Sequence, residues 1–98
     1  MTLPLIIEPD AEADIEAART WDEQQRPGLG DAFIAAVDEC LRRIQAMPGI
    51  YPIVARNARR TMVRPYSYFV LYRVEAARIV VLAVMHTSRD PRTWQSRI

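Results

Sequence analysis

The segment Arg59–Trp94, RRTMVRPYSYFVLYRVEAARIVVLAVMHTSRDPRTW, decides the fold. Its runs YFVLYRVE and RIVVLAVM are rich in β-branched and aromatic residues, and only Ala76-Ala77 separates them, which is the spacing of a β-hairpin. Neither alanine favours a positive φ, so the loop is expected to include Glu75 or Arg78. The run Ile79–Met85 is apolar at every position and therefore predicts an inner strand covered on both faces.

Upstream of this segment the pattern predicts one strand and a helical hairpin. Leu5–Ile7 reads as a strand ended by Glu8-Pro9, and Asp10 is expected to cap the first helix. A break at 26–30 separates the helices, and Asp31 helps to start the second. The apolar stripe of the first helix is Ala11, Ile15, Ala18 and Trp21, with Asp14 facing outward, and that of the second is Phe33, Val37, Cys40, Leu41, Ile44 and Met47.

The remaining segments complete an α+β order of strand, antiparallel helical hairpin and three antiparallel strands (β-α-α-β-β-β) with a short helical tail. Arg59–Arg64 precedes a proline and predicts an edge strand, and Asp90-Pro91 predicts the start of the terminal helix. We expect residues 1–98 to form one domain. Two helices should return the chain to the side it left, so Leu5–Glu8 is expected to lie antiparallel beside Ile79–Met85.

The predicted sheet has too little cover on one face. Phe69 and Leu71 lie on the opposite face from Val70 and Tyr72, while a single helical hairpin covers one face only. Either the tail with Trp94 folds over the second face or another protein does, because contiguous apolar surface usually marks an interface.

Charge is divided unevenly along the chain. Residues 1–55 hold four Arg and ten acidic residues, whereas residues 56–98 hold nine Arg and two, and there is no Lys. A basic half favours anionic partners.

The single cysteine, Cys40, excludes an intrachain disulfide and predicts a buried apolar residue, and we expect neither a metal nor a cofactor. Without an apolar run of about 20 residues or a signal sequence, a cytoplasmic protein with no membrane association is expected.

Several short motifs occur in a fixed order along nearly the whole chain. They are Trp21-Asp22-Glu23, Pro27-Gly28-Leu29-Gly30 with Phe33, Pro48 with Tyr51-Pro52, Arg59-Arg60, Pro65-Tyr66 with Tyr72, and His86 through Arg89-Asp90-Pro91 to Trp94. Together these motifs resemble the RelE/ParE superfamily of bacterial type II toxins. That resemblance implies a small toxin in a hetero-oligomer with an antitoxin encoded beside it, and either of two activities, inhibition of DNA gyrase or cleavage of messenger RNA on the ribosome.

The chemistry of RNA cleavage separates the two activities. Attack by a 2′-hydroxyl requires a base, an acid and cationic groups at the phosphate. By resemblance Arg89 matches a ribonuclease arginine, but Phe69 stands where another arginine is expected. Trp94 stands near the position of a terminal tyrosine, and tryptophan is neither acid nor base. The sequence therefore favours a ParE-like gyrase inhibitor, and the alternative ribonuclease would use His86, Arg89 and Arg60.

A third alternative is a protein of this fold that only binds its antitoxin. For the toxin, the residues that contact the antitoxin and the target can be predicted. Antitoxin binding is predicted at Phe69 and Leu71. Target binding is predicted for the basic half, at Arg59, Arg60, Arg64, Arg89, Arg92 and Trp94.

Overall fold

The computed structural model describes residues 2–98, which form a five-stranded sheet with helices packed on both faces. The predicted α+β class and its order of strand, helical hairpin, antiparallel strands and short terminal helix are confirmed. The elements are β1 (Leu5–Ile7), α1 (Pro9–Gln25), α2 (Leu29–Ala46), β2 (Ile53–Ala55), β3 (Ala58–Val63), β4 (Tyr68–Val74), β5 (Ile79–His86) and α3 (Pro91–Gln95).

The sheet has the order β1-β5-β4-β3-β2, with β3, β4 and β5 antiparallel to one another. The predicted hairpin is confirmed, and its loop runs from Glu75 to Arg78, closed by a 2.8 Å bond from the Glu75 N–H to the Arg78 carbonyl. The apolar β5 is an inner strand, as its composition predicts. The register skips Leu82, which is a bulge in β5.

The predicted direction of β1 is wrong. β1 does lie beside β5, but the two strands are parallel, with Leu5 opposite Ile79. Only Glu8 separates β1 from α1, so no loop reverses the chain before the helices begin. The helical hairpin consequently returns the chain to the end of the sheet where β1 started, where the Gln45 side chain donates a 2.8 Å bond to the Leu3 carbonyl.

β3 is not the edge strand that segment 59–64 predicted. A further strand, β2, lies outside β3, with Ile53 opposite Arg59. The turn between β2 and β3 contains Arg56 at a φ of 50°. Because β2 is short, the outer side of β3 beyond Arg60 has no strand partner among residues 2–98. A three-residue strand is too short to reveal an alternating pattern, so the sequence did not predict it.

α1 begins at Pro9, with Glu8 as its N-cap residue, so the prediction that Asp10 caps the helix is wrong. Proline suits the first position of a helix because its ring sets φ and its missing N–H would have no partner there. Within the described part of the chain, no helix combines the length and the apolar character that crossing a bilayer requires.

The turn of the helical hairpin is held by the Glu23 carboxylate. It accepts N–H bonds from Gly28 and Gly30 at 3.0–3.2 Å, which stabilises the start of α2 at Leu29, just before Asp31. A Cβ on Gly30 would lie 3.0 Å from a backbone carbonyl oxygen of α1. Glycine at this position therefore allows the two helices to approach closely.

The helical hairpin covers one face of the sheet. The predicted α2 stripe is confirmed except at Met47, which is 56% exposed. The α1 stripe ends at Ala18, because Trp21 is 59% exposed and is not the core residue that was predicted. Trp21 lies beside His86, the last residue of β5, where the sheet ends. The buried residues of this face are Ala11, Ala18, Phe33, Val37, Cys40, Ile44, Val63, Val70, Tyr72, Ile79, Val81 and Val84.

Candidate functional site

The second face of the sheet is covered by the chain's own tail. Phe69 and Leu71 are 1% and 0% exposed, and the Trp94 ring packs edge-on against Phe69 at a centroid distance of 6.2 Å. The sequence allowed either the tail or another protein to cover this face, and in this structure the tail covers it. In this conformation Phe69 and Leu71 offer no surface to an antitoxin, and Trp94, 8% exposed, offers little to a target. Contacts through these three side chains stay predictions, which this buried conformation does not favour.

The tail is tied down by an ion pair that the sequence did not predict. Asp14 was expected to face outward, but its carboxylate accepts bonds from the Val84 N–H at 3.0 Å and from Arg97 at 2.5 and 3.0 Å. Arg97 also donates to the Leu82 carbonyl at 3.2 Å. β1 reaches only as far as Val81 along β5, so Asp14 and Arg97 occupy the strand edge that β1 leaves open. The carboxylate beside Arg97 raises the pKa of the guanidinium.

Of the three arginines predicted on β3 and just after it, Arg64 is exposed, whereas Arg59 and Arg60 are partly buried. Arg59 donates to the carbonyls of Gly49 and Tyr51 at 3.1 and 2.7 Å, so it holds the loop before β2. The Arg60 guanidinium lies over the Phe69 ring, 4.1 Å from its centroid, which is a cation–π contact on the tail-covered face. Arg59 and Arg60 therefore contribute to the fold, and Arg64 is available to a partner.

A cavity of about 290 Å³ lies at the carboxyl end of β5, between that strand and α1. It brings together two of the predicted residues, His86 and Arg89, and adds Trp21 and Tyr68. We call it the β5-end cavity. Its floor is formed by the small side chains Ala13, Ala17 and Ala18 together with Val84 and Met85, and Asp14 also lines it. The sequence placed Trp21 in the core, so its position at this opening was missed.

No side-chain hydrogen bond links His86, Tyr68 and Arg89 in the β5-end cavity. The Ser88 N–H donates to His86 Nδ1 at 3.0 Å, and the Ser88 hydroxyl lies 2.8 Å from the same atom. Because a backbone N–H can only donate, Nδ1 is an acceptor here and carries no proton. Burial is the largest cause of a raised pKa for Tyr68, with Asp22 adding to it and Arg89 opposing it, so the phenol is neutral at pH 7.

Arg60, the third residue of the ribonuclease hypothesis, does not line the β5-end cavity. Arg60 pairs with Leu71 and shares its tail-covered face, whereas His86 pairs with Tyr68 and contacts it edge-on at 5.2 Å on the helix-covered face. Opposite residues of paired strands point to the same side of a sheet. Arg60 and His86 therefore lie on opposite faces, and the structure does not bring His86, Arg89 and Arg60 together.

The remaining predicted contact, Arg92, lies on α3 at the surface. Its side chain is 88% exposed and pairs with Asp90 at 2.7 Å. Asp90 caps α3 by accepting the Arg92 N–H at 3.0 Å, and the Arg92 side chain and N–H lower the pKa of its carboxyl group. Arg89 is exposed as well. No group of three or more His, Cys, Asp or Glu side chains that could hold a metal ion occurs among residues 2–98.

These features define a small α+β protein with the exposed Arg89 at a cavity that also holds His86 and Tyr68. A profile of the family described as "ParE toxin of type II toxin-antitoxin system, parDE" matches residues 5–91. The chain belongs to this ParE toxin family, which confirms the resemblance to the RelE/ParE superfamily and makes the protein a toxin of the type II toxin-antitoxin class.

Relatives agree in sequence and in fold. The chain is 27% identical over 99 aligned residues to proteins named "Toxin ParE2" from two strains of Mycobacterium tuberculosis, CDC 1551 / Oshkosh and ATCC 25618 / H37Rv, covering all of this chain and 94% of each relative. A solved structure titled "Chromosomal ParDE TA system from P. aeruginosa" superposes with a TM-score of 0.78 at 16% identity, over 87% of this chain and 96% of that one. The structural match supports the fold.

Proposed function

We propose that this toxin inhibits DNA gyrase by binding it, and that it acts in the cytoplasm as one domain of residues 1–98 that a cognate antitoxin neutralises. The observation that carries the proposal is that Arg60 lies on the tail-covered face of the sheet, whereas His86 and Arg89 line the β5-end cavity beside α1. The three side chains that the alternative ribonuclease would use are therefore not assembled at one place. A binding mechanism needs only exposed complementary surface.

The proposed target surface is the end of the sheet where β3 and β5 finish. Arg64 follows β3 and Arg89 follows β5, and these strands are parallel to each other because both are antiparallel to β4. The proposed target surface also includes Arg92 on α3 and the exposed ring of Trp21. Trp21 replaces the buried Trp94 as the aromatic anchor, because aromatic and arginine side chains commonly contribute most to binding energy at an interface.

Arg89→Glu tests the surface. Purified protein should inhibit supercoiling by gyrase, and the variant should lose at least tenfold in potency because it reverses a charge beside the cavity. Arg26→Glu is the matched control, since Arg26 is an exposed arginine at the helical turn and its reversal alters net charge equally. Equal inhibition by both variants would remove Arg89 from the target surface, and no inhibition by the native chain would refute gyrase as the target.

The ribonuclease remains a second candidate because His86 and Arg89 do line one cavity. Translating ribosomes supplied with the protein and a defined messenger RNA would decide between the two. We expect intact RNA; site-specific cuts that disappear with His86→Ala would establish the nuclease. Expression that arrests no growth, with the antitoxin still bound, would instead support the non-toxic binding protein.

A further inference from the structure

The β5-end cavity presents hydrogen-bond donors that have no acceptor among residues 2–98. They are the Nε2–H of His86, the phenol of Tyr68 and the guanidinium of Arg89, and all three side chains line the cavity. Asp14 lines the cavity as well, but its carboxylate is already paired with Arg97. The cavity therefore offers donors to a ligand, while its one carboxylate is engaged.

The tautomer of His86 is set by its neighbour Ser88. The Ser88 N–H donates to Nδ1 at 3.0 Å, so the proton of the neutral ring is on Nε2. The ring also contacts Tyr68 edge-on at a centroid distance of 5.2 Å. These two contacts fix the imidazole, and Nε2 is therefore a donor of fixed direction.

The Tyr68 phenol is a donor held in place by packing. Its ring packs edge-on against Phe33 at 5.1 Å, beside the core of the helix-covered face. Burial, with Asp22 adding to it, raises the pKa of the phenol, so it keeps its proton at pH 7. Because the donors of Tyr68 and His86 are fixed before binding, they lose little conformational freedom when an acceptor binds.

The charge at the cavity limits the ligand to about one negative charge. Among residues 2–98, Arg89 is the one arginine that lines it, and Asp22 is close enough to Tyr68 to raise the pKa of the phenol. Nucleic acid binds through several Lys or Arg contacts to successive phosphates. A single carboxylate is matched by one guanidinium and accepts several hydrogen bonds at once. The cavity therefore favours a carboxylate over a chain of phosphates.

The size and the walls of the cavity fit one amino-acid side chain. Its volume of about 290 Å³ lies at the small end of the range for ligand sites, about 300–1,000 Å³. The alanines of α1 leave space on one side, and the exposed ring of Trp21 stands at the opening. Apolar walls keep water from a bound carboxylate, which strengthens its hydrogen bonds.

We propose that this cavity binds one aspartate or glutamate side chain of the target protein. The carboxylate accepts bonds from Tyr68, His86 and Arg89, and the methylene groups pack on the Trp21 ring. The inference rests on the proposed function, because it names the chemical group that gyrase presents to the target surface. Ser88 is then a positioning residue, which acts through His86 and does not touch the ligand.

Nuclear magnetic resonance of the imidazole tests the cavity without gyrase. His86 is the only histidine, so its ring nitrogens give one unambiguous pair of nitrogen-15 signals. The α-amide of N-acetylglutamic acid, a probe with one side-chain carboxylate, should shift the Nε2 signal at millimolar concentration, and the matched glutamine probe should not. No shift, or an equal shift with the glutamine probe, would overturn the inference. A larger response to a single-stranded oligonucleotide would assign the cavity to nucleic acid and overturn it too.

Variants that remove single donors test the same cavity in gyrase inhibition. Tyr68→Phe deletes one oxygen and should lower potency about tenfold, because a hydrogen bond to a charged group is lost. Tyr72→Phe is the matched control, since it deletes the same oxygen from a phenol bound to the Pro48 carbonyl. His86→Leu should also lower potency about tenfold. His86→Gln should recover part of that loss, because its amide donates from a similar position.

The role of Ser88 is tested through the tautomer of His86. Ser88→Pro removes the N–H that donates to Nδ1, whereas Ser88→Ala keeps it. The nitrogen-15 signals should show a mixture of tautomers in the proline variant and the Nε2–H form alone in the alanine variant. An unchanged tautomer in a folded Ser88→Pro variant would show that Ser88 does not position the ring.

Thermal unfolding shows whether each variant is folded. Folded Tyr68→Phe and His86→Leu variants that inhibit gyrase like the native chain would overturn the inference. If the native chain does not inhibit gyrase, the proposed function fails together with the assignment of the side chain to gyrase. A specific shift with the glutamate probe would in that case still establish a carboxylate site in the cavity.

Discussion

The two faces of the sheet are both closed, but by very different amounts of chain. On one face two helices, α1 and α2, cover the strands with a continuous apolar stripe. On the other face the five-residue helix α3 and the last residue, Ile98, do the same for Phe69, Leu71 and their neighbours. Strands that are apolar on both sides require cover on both sides. A short tail can therefore supply the second cover when its end is anchored.

The two faces of the sheet are held in place by different kinds of interaction. The helix-covered face is held by packing, with Phe33 edge-on to Tyr66 and Tyr68 at 5.3 and 5.1 Å. The tail-covered face depends on one aromatic contact and on the ion pair of Arg97 with Asp14. Packing involves many small contacts that are lost together, whereas an anchor can be removed one group at a time. Single substitutions on the two faces should therefore differ in size.

Phe33→Ala should produce the largest loss. The side chain is 0% exposed and contacts two tyrosines, so its removal leaves a cavity that α2 cannot close without moving. We expect a loss of about 4 kcal/mol in the free energy of unfolding, measured by chemical denaturation. A loss smaller than that of any tail variant would contradict the greater dependence of this face on packing.

Trp94→Ala should come next, at about 3 kcal/mol, because the short tail can settle partly into the space that the ring leaves. It should also expose Phe69, so a dye that binds apolar surface should fluoresce with the variant and not with the native chain. Arg92→Ala is the control, since this exposed side chain on the same helix covers no apolar residue. Equal dye binding by the two variants would show that the tail is not the cover.

Arg97→Met should cost about 2 kcal/mol, less than a fully buried pair would, because the Arg97 and Asp14 side chains are 21% and 14% exposed. The substitution keeps an apolar stem but removes the donors to Asp14 and Leu82. A double-mutant cycle with Asp14→Asn isolates the pair. If the two losses simply add, the ion pair does not anchor the tail.

Tyr72→Phe should have the smallest effect, about 1 kcal/mol, from loss of the 2.6 Å bond that the phenol donates to the Pro48 carbonyl. Burial, partly opposed by Arg59, raises the pKa of this phenol from 10.0 to about 12. The unfolded state therefore loses the proton first, so stability is complete below pH 10 and falls as the pH rises towards 12. Denaturation at several pH values should show this fall in native protein and a smaller one in the variant.

The features that local sequence determined are those set by neighbours along the chain. The hairpin around Ala76-Ala77, the inner position of β5 and the α2 stripe from Phe33 to Ile44 all follow from periodicity and composition, and each is confirmed. The pairing of His86 with Arg89 in one cavity follows from their closeness at the end of one strand. Residues only a few positions apart must remain near each other, so sequence patterns predict such features well.

Tertiary structure alone decided how distant segments meet. The parallel direction of β1 depends on the single residue Glu8 before α1, and the separation of Arg60 from His86 depends on strand register. The role of Asp14 depends on Arg97, 83 residues away, and on the bulge at Leu82, which no periodicity signals. Burial of a charged or aromatic side chain is a property of what packs against it, and those partners come from elsewhere in the chain.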